Sequence, residues 1–302
     1  MLLDTASLYF RAYFGSPEIL APDGTNVNAV RGLLGYISQL LERYDPTHLV
    51  CCWDEDWRQQ WRVDLIETYK AHRVVEEVVA APDVEEVPDP LGVQVPIIVD
   101  VLNAFGIAVV GAPGFEADDV IGTLATDAGM PVEIVTGDRD LFQLVDDAAG
   151  IRVLYVGKGV ARHERGDEAW VLEKYAVRAD QYADFATLRG DASDGLPGVK
   201  GVGDKTAADL LQTYGDIEAI RAAADDPDSS LRPGPRAKIQ EAGAYLEVAP
   251  QVVAVARDID LPREGFALPR TPARADQLAG LVERWSLTSP VDRLSALLAA
   301  PR

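Results

Sequence analysis

Cysteine, histidine and long apolar runs are all scarce in this chain of 302 residues, which has two cysteines and three histidines. The cysteines are the adjacent pair Cys51 and Cys52 in a strand-like run. Side chains alternate between the faces of a strand, so an ordinary disulfide between them is excluded and both read as core thiols. His48, His72 and His163 lie far apart with no cysteine or histidine ligand spacing around them, which leaves a structural zinc site without support. No apolar stretch approaches the roughly 20 residues that span a bilayer, and the amino terminus lacks the basic, hydrophobic, small-residue order of a signal peptide. A cytoplasmic location without membrane contact is the expectation. Basic residues are outnumbered too, giving a net charge of −21. Taken alone that argues against a polyanionic partner, but the acids are concentrated between residues 76 and 89 and in a few short motifs, so the average hides local basic groups.

What is present is a hydrophobic fraction of 48%, enough for a sizeable core. The apolar runs MLL, HLVCC and VEIVTG end near Asp4, Asp54 and Asp138 and alternate with helical patterns, which predicts an α/β fold with a central twisted, mostly parallel sheet. Residues 1 to 55 read as strand, helix, strand, with the helix over 30 to 43. A helix over 57 to 73 is expected to carry Arg62, Ile66, Tyr69 and Arg73 on one basic, aromatic face beside Arg58 and Lys70. An acidic, proline-broken loop follows, and helix resumes near Pro96. After the run IAVVG, a helix opens at FEADD. From about residue 168 the pattern is almost wholly helical and closes in one amphipathic helix over 275 to 300. The expected organisation is a continuous core over 1–185, a helix-hairpin-helix region over 186–225, and a helical region over 226–302 packed on the core.

Acids at the carboxyl ends of several strands lie where an open parallel sheet builds its site. Two carboxylates ~4 Å apart repel by about 4 kcal/mol at an effective dielectric near 20, so such a cluster calls for oxygen-preferring divalent cations. In FEADDV, Glu116 and Asp119 share a helix face and Asp118 is turned away by about 100°. Complementing the helix dipole accounts for one or two acids there and poorly for three. Asp138 and Asp140 both reach one cleft if the chain stays extended, or turns, through Arg139. A haloacid-dehalogenase reading is weak because Asp4 is followed by Thr5 and Ala6. In GVKGVGDKT a phosphate-binding P-loop fails, since Asp204 stands where lysine is required. A helix-hairpin-helix turn fits better: Gly198, Gly201 and Gly203 admit a phosphate to the backbone N–H groups, and Lys200 and Lys205 add charge. A tight turn between packed helices would explain the glycines alone.

The ordered set Asp4, WDED, YKAHR, GFEADD, TGDRDLFQL and GDASDGLPGVKGVGDKTA resembles the bacterial 5′-nuclease family, which includes flap endonucleases and the exonuclease portion of DNA polymerase I. The resemblance covers residues 1 to about 265. It implies a structure-specific, metal-dependent phosphodiesterase acting at 5′ ends, flaps, nicks and junctions of DNA, or on RNA primers paired to DNA, as a monomer with two or three Mg²⁺ or Mn²⁺ ions. Asp4, Asp54, Glu116, Asp118, Asp119 and Asp138 would serve the first metal position or its waters, and Asp140, Asp191 and Asp194 the second. Lys70 and Arg73 match residues that engage the scissile phosphate from a helical arch over about 57–97. Arg11, Arg58, Arg62, Tyr69 and the hairpin residues would bind DNA, with Tyr69 stacking on a base. Carbonyls near Val199 and Val202 would hold potassium. Thr5, Glu55 and Gly195 depart from the family pattern without removing a ligand. A catalytically silent DNA-structure-binding protein and a PIN-like ribonuclease are the competing readings.

Overall fold

The computed structural model of the chain describes residues 1–74 and 89–300. Six strands form one sheet: β1 (Leu2–Asp4), β2 (Val50–Cys52), β3 (Ala108–Val110), β4 (Val132–Thr136), β5 (Ile151–Tyr155) and β6 (Glu164–Gly166), in the order β3-β2-β1-β4-β5-β6. All neighbours pair in parallel except β5 with β6. The chain moves outward from β1 through β2 to β3, and from β4 through β5 to β6. The strand order therefore reverses between β1 and β4, and the crevice beyond their carboxyl ends is where such sheets bind ligands. Asp4 ends β1, and Asp138 follows β4 by two residues.

The helices are α1 (Thr5–Gly15), α2 (Asn28–Tyr44), α3 (Gln60–Leu65), α4 (Asp89–Gly92), α5 (Gln94–Phe105), α6 (Ala117–Ala125), α7 (Glu168–Tyr175), α8 (Tyr182–Arg189), α9 (Asp204–Tyr214), α10 (Ile217–Asp225), α11 (Pro233–Glu241), α12 (Gly243–Val253), α13 (Ala275–Trp285) and α14 (Thr288–Ala299). They cover both faces of the sheet and divide the core in two. One half packs α6 to α12 on one face, and the other packs α1, α2, α5, α13 and α14 on the opposite face. The strand alternation sorts the residues: Leu2 and Cys52 enter the first half, Leu3 and Cys51 the second. Both thiols are free, and burial pushes Cys51 up to about 12, so they are inert core groups.

Several local expectations are corrected. Between β1 and β2 there are two helices, because Pro17, Pro22 and Gly24 interrupt any continuous one. The helix expected over 57 to 73 is only α3, followed by a turn and a 3₁₀ turn at Ala71–Arg73, with Lys70 left-handed at φ 48°. Ile66 and Tyr69 are buried there, so tertiary packing has overridden the helical spacing. The terminal helix is two helices separated at Ser286, which is left-handed at φ 52°. The acidic stretch over residues 75–88 of the expected arch lies outside the described residues. No helix among those described is long and apolar enough to cross a membrane.

Candidate metal centre and nucleic-acid interface

The carboxylates reach the crevice from four places: the end of β1, the loop after β2, the start of α6 and the turn after β4. Asp4 caps α1, taking the Ser7 N–H on Oδ1 at 3.1 Å and the Thr136 hydroxyl on Oδ2 at 2.7 Å, which ties the end of β1 to the end of β4. Asp54, two residues beyond β2, accepts the Ala117 N–H at 2.9 Å. Glu116 caps α6 and Asp118 lies in its first turn. Thr136 Oγ1 accepts the Asp138 N–H at 2.8 Å, and Asp138 in turn accepts the Asp140 N–H at 2.8 Å. That chain of bonds turns the backbone after β4 through Arg139 and delivers Asp140 at the start of a 3₁₀ turn.

The acids differ sharply in how they are neutralised. Among the described residues no ion pair engages Asp4, Asp54, Asp118, Asp138 or Asp140. Burial, then repulsion from Asp54 and Asp138 against hydrogen bonds from Thr136 and Ser7, raises the Asp4 carboxyl to about 7. Burial followed by Asp138 raises Asp118 and Asp140 as well, and burial raises Asp54. Asp138 thus recurs as the charge its neighbours feel. Glu116, by contrast, is saturated by the Tyr69 hydroxyl at 2.6 Å, the Lys70 ammonium at 2.5 Å and Arg62 at 3.4 Å.

No three acidic, histidine or cysteine side chains among the described residues close into a ready-made ion cage. The donor set still fits a hard divalent cation: it is all oxygen, and among the described residues Asp4, Asp54, Asp118, Asp138 and Asp140 have no ion-pair partner and the buried Asp140 Oδ1 has no hydrogen bond. A stability prediction follows. A carboxyl raised in the folded state holds its proton more tightly there than in the unfolded chain. Its contribution is present below the ordinary value and is lost as pH rises through about 7. In chelator, Tm should therefore fall between about pH 4 and pH 7, and Mn²⁺ should raise Tm more at pH 8 than at pH 5.5. Equal Mn²⁺ shifts at both pH values would dissociate these acids from cation binding.

Three expected site residues are corrected. Asp119 is fully buried, and its charge is felt by Asp54. Its two oxygens take Gln59, both terminal nitrogens of Arg62 and the N–H groups of Glu116 and Ala256, at 2.7 to 3.2 Å. In this structure both oxygens are engaged by protein donors, which is the arrangement of a structural anion. Arg62, expected on a DNA-binding face, is its buried partner, 3% exposed and also bonded to the Val252 carbonyl at 3.1 Å. Tyr69 is 3% exposed with its hydroxyl on Glu116, so its ring has no face open to a base. Arg58 donates Nε to the Tyr69 carbonyl at 2.7 Å and Nη2 to the Glu67 carbonyl at 3.3 Å, bracing the same turn.

The segment holding Lys70 and Arg73 docks on the loop holding Asp191 and Asp194. Lys70 N–H donates to the Asp194 carbonyl at 2.9 Å, Thr68 Oγ1 to the Gly195 carbonyl at 2.7 Å, and Arg73 Nη2 to the Ser193 carbonyl and Asp194 Oδ1 at 2.7 and 2.9 Å. Gly195 is glycine for this reason: at φ 70°, a Cβ would sit 1.9 Å from the Thr68 oxygen. Burial, then Asp138 and Asp191 against Lys70 and Arg73, raises the Asp194 carboxyl. Asp191 goes the other way. Burial alone would raise it, but bonds from Ser193 together with Arg139 and Arg189 hold it below the usual range.

Around this centre, Arg11 on α1 carries a buried Nε without a hydrogen-bond partner, and its Nη2 lies 3.1 Å from where a Cβ on Gly137 would project. In the hairpin, Gly198 and Gly201 are left-handed at φ 64° and 75°, while Lys200, Gly201, Gly203 and Lys205 are exposed, the last two opening α9. Val199 and Val202 are buried, the Val199 carbonyl accepts the Val202 N–H at 2.9 Å, and the Gly201 carbonyl between them accepts the Lys238 ammonium at 2.7 Å. Sequence reasoning missed Lys238, Arg139 and Arg189. It also missed an aromatic row on α1: Tyr9 on Trp53, Tyr9 stacked on Phe10 at 5.2 Å, and Phe10 on Phe14, which is 70% exposed. The only signal for that row was the composition of LYFRAYF.

Comparison with known proteins covers nearly the whole chain. Residues 1–176 match the family model "5′-3′ exonuclease, N-terminal resolvase-like domain", and residues 177–276 match "5′-3′ exonuclease, C-terminal SAM fold". The chain is 60% identical to the 5′-3′ exonuclease of Streptomyces coelicolor, over 99% of this chain and 100% of that protein. It is 38% identical to DNA polymerase I of Mycobacterium bovis over 99% of this chain, and covers 32% of that longer enzyme. A solved structure of the bacteriophage T5 D15 flap endonuclease, a pseudo-enzyme–product complex with DNA and metal ions, has the same fold at TM-score 0.65 and 16% identity, covering 99% of this chain and 96% of that one.

Proposed function

We propose that this chain, which belongs to the 5′-3′ exonuclease family and is a hydrolase acting on DNA, removes nucleotides from 5′ ends and also cuts 5′ single-stranded flaps at their junction with duplex. The observation that carries the reading is that Asp4, Asp54, Asp118 and the turn bearing Asp138 and Asp140 come from separate elements to the reversal point of the sheet, with no ion-pair partner among the described residues. The cations are Mg²⁺ or Mn²⁺. Asp4, Asp118 and Asp138 would hold one with Asp54 and Glu116 near it, and Asp140, Asp191 and Asp194 a second. When bound, such ions activate water and offset charge on the leaving 3′ oxygen.

The remaining work falls to the chain. Lys70, fixed on Glu116, keeps a positive charge beside the carboxylates, where it stabilises charge developing on a phosphate. The orphaned Nε of Arg11 is a donor awaiting an acceptor, which suits a phosphate oxygen. Phe10 and Phe14 offer ring faces to bases, and such stacking tolerates any sequence. The hairpin N–H groups, Lys200 and Lys205 grip the duplex backbone away from the cut. Lys238 supplies positive charge at the turn where the resemblance puts a monovalent ion. Incubation with Mn²⁺ and a 5′-labelled flap duplex should release the flap as one labelled oligonucleotide, and a recessed 5′ end should yield mononucleotides. Binding without product would leave a DNA-binding protein, and cleavage confined to RNA would favour the ribonuclease reading.

A further inference from the structure

Asp191 has no oxygen to spare. Its Oδ1 accepts the Ser193 N–H at 2.8 Å and the Ser193 hydroxyl, and its Oδ2 accepts Arg139 Nη2 at 3.1 Å and Arg189 Nη2 at 3.3 Å. A carboxylate offers about four lone-pair sites, and four donors fill them. Asp194 gives one oxygen to Arg73, whereas Asp140 nearby leaves Oδ1 unpartnered. The two halves of the carboxylate cluster are therefore unequal. Among the described residues no ion pair engages Asp4, Asp118 or Asp138, the nearby Lys70 being paired with Glu116, while three guanidinium groups pair with Asp191 and Asp194.

The two arginines on Asp191 also differ from each other. Arg189 has a side chain only 12% exposed, bonded to the Gly190 carbonyl at 3.1 Å and seated 5.3 Å from the centre of the Phe185 ring. It is fixed. Arg139 has a side chain 42% exposed, and its bond to Asp191 is its single side-chain hydrogen bond among the described residues. It can leave. A guanidinium that lets go of a carboxylate in a DNA-facing crevice has a matching acceptor in a phosphate, which it binds through the same fork.

We infer that Arg139 and Arg189 form a latch on Asp191 whose mobile half, Arg139, exchanges its carboxylate for a substrate phosphate and so opens the second cation position. The inference rests on the divalent-ion reading given above. Without DNA, the protein holds one divalent ion tightly and a second weakly. Because linkage is reciprocal, phosphate binding at Arg139 and cation binding at Asp140, Asp191 and Asp194 favour each other. A nuclease built this way keeps its second ion for molecules that already hold a substrate.

The test counts ions and does not use turnover. Mn²⁺ is titrated into the DNA-free protein at pH 8, with free Mn²⁺ followed by electron paramagnetic resonance, for the native chain, Arg139→Gln and Arg189→Gln. Releasing one charge-assisted bond should tighten the second Mn²⁺ by about tenfold in Arg139→Gln and leave the first unchanged. Arg189→Gln should shift the same constant in the same direction. Arg139 is exposed enough that its variant should keep the native melting profile, which the same samples verify. Two ions bound with the same constants in all three proteins, or a second ion weakened by Arg139→Gln, would remove the latch and leave the divalent-ion reading standing. No Mn²⁺ bound by any of them would remove that reading, and the latch with it.

Discussion

Asp138→Asn should lower the single-turnover rate on a 5′ flap by about a thousandfold or more while duplex affinity changes by no more than about threefold. The asymmetry follows from what asparagine keeps. Its side-chain oxygen can still accept the Asp140 N–H, now 2.8 Å from Asp138 Oδ1, so the turn that aims Asp140 survives. What is lost is the one charge that Asp4, Asp118, Asp140 and Asp194 all feel. On the proposed reading, duplex grip falls to the hairpin around Lys200 and Lys205, which this substitution leaves untouched. Removing a repelling anion also relieves the cluster, so the variant in chelator should melt at or above the native temperature. The checks are rapid-quench cleavage, fluorescence anisotropy with labelled duplex, and thermal melting in chelator. A native rate would take Asp138 out of the reaction centre.

The sheet and most of this centre were legible because their signals are local. A strand ending in Asp, or a helix opening with EADD, declares both its element and the end of that element. Strand order was not written locally, yet the parallel class was, and that suffices to put Asp4 and Asp138 at one rim. Residues 57 to 73 misled because Arg62, Ile66 and Tyr69 fall at helical spacing. That spacing is as consistent with three inward-facing side chains as with an outer basic stripe, and only the packing of α12 and α6 around Arg62 decides. Strands β5 and β6 were missed, since IRVLY carries an arginine and ERG is three residues of no strand preference. Arg139 and Arg189 were invisible for a different reason. Each is ordinary in its own segment and gains meaning only from sharing one oxygen of Asp191.

Asp119→Ala separates a scaffold acid from the reactive acids and should be the most destabilising single change in the cluster. Arg62 is buried between the rings of Trp61 and Tyr69 at 4.7 and 5.9 Å, and Asp119 is its principal counter-ion. Truncating Asp119 leaves that guanidinium with only Glu116, at 3.4 Å, as a counter-ion and leaves the amide nitrogen of Gln59 and the N–H groups of Glu116 and Ala256 without their acceptor. Breaking one side of a buried pair costs about 3–5 kcal/mol, which for a domain of this size lowers Tm on the order of 10 °C. The opposite change, Arg62→Met, leaves Asp119 with three of its donors and should cost less. Below its own Tm the Asp119→Ala protein should retain cleavage within about tenfold, because its effect on the centre runs through the position of Glu116 and a minor charge effect on Asp54. The pattern is therefore the reverse of that for Asp138→Asn: a large loss of Tm with a modest loss of rate. If Asp119→Ala instead kept its Tm and lost turnover as fully as Asp138→Asn, Asp119 would belong among the ligands. The ion pair with Arg62 would then have to open for the reaction to run.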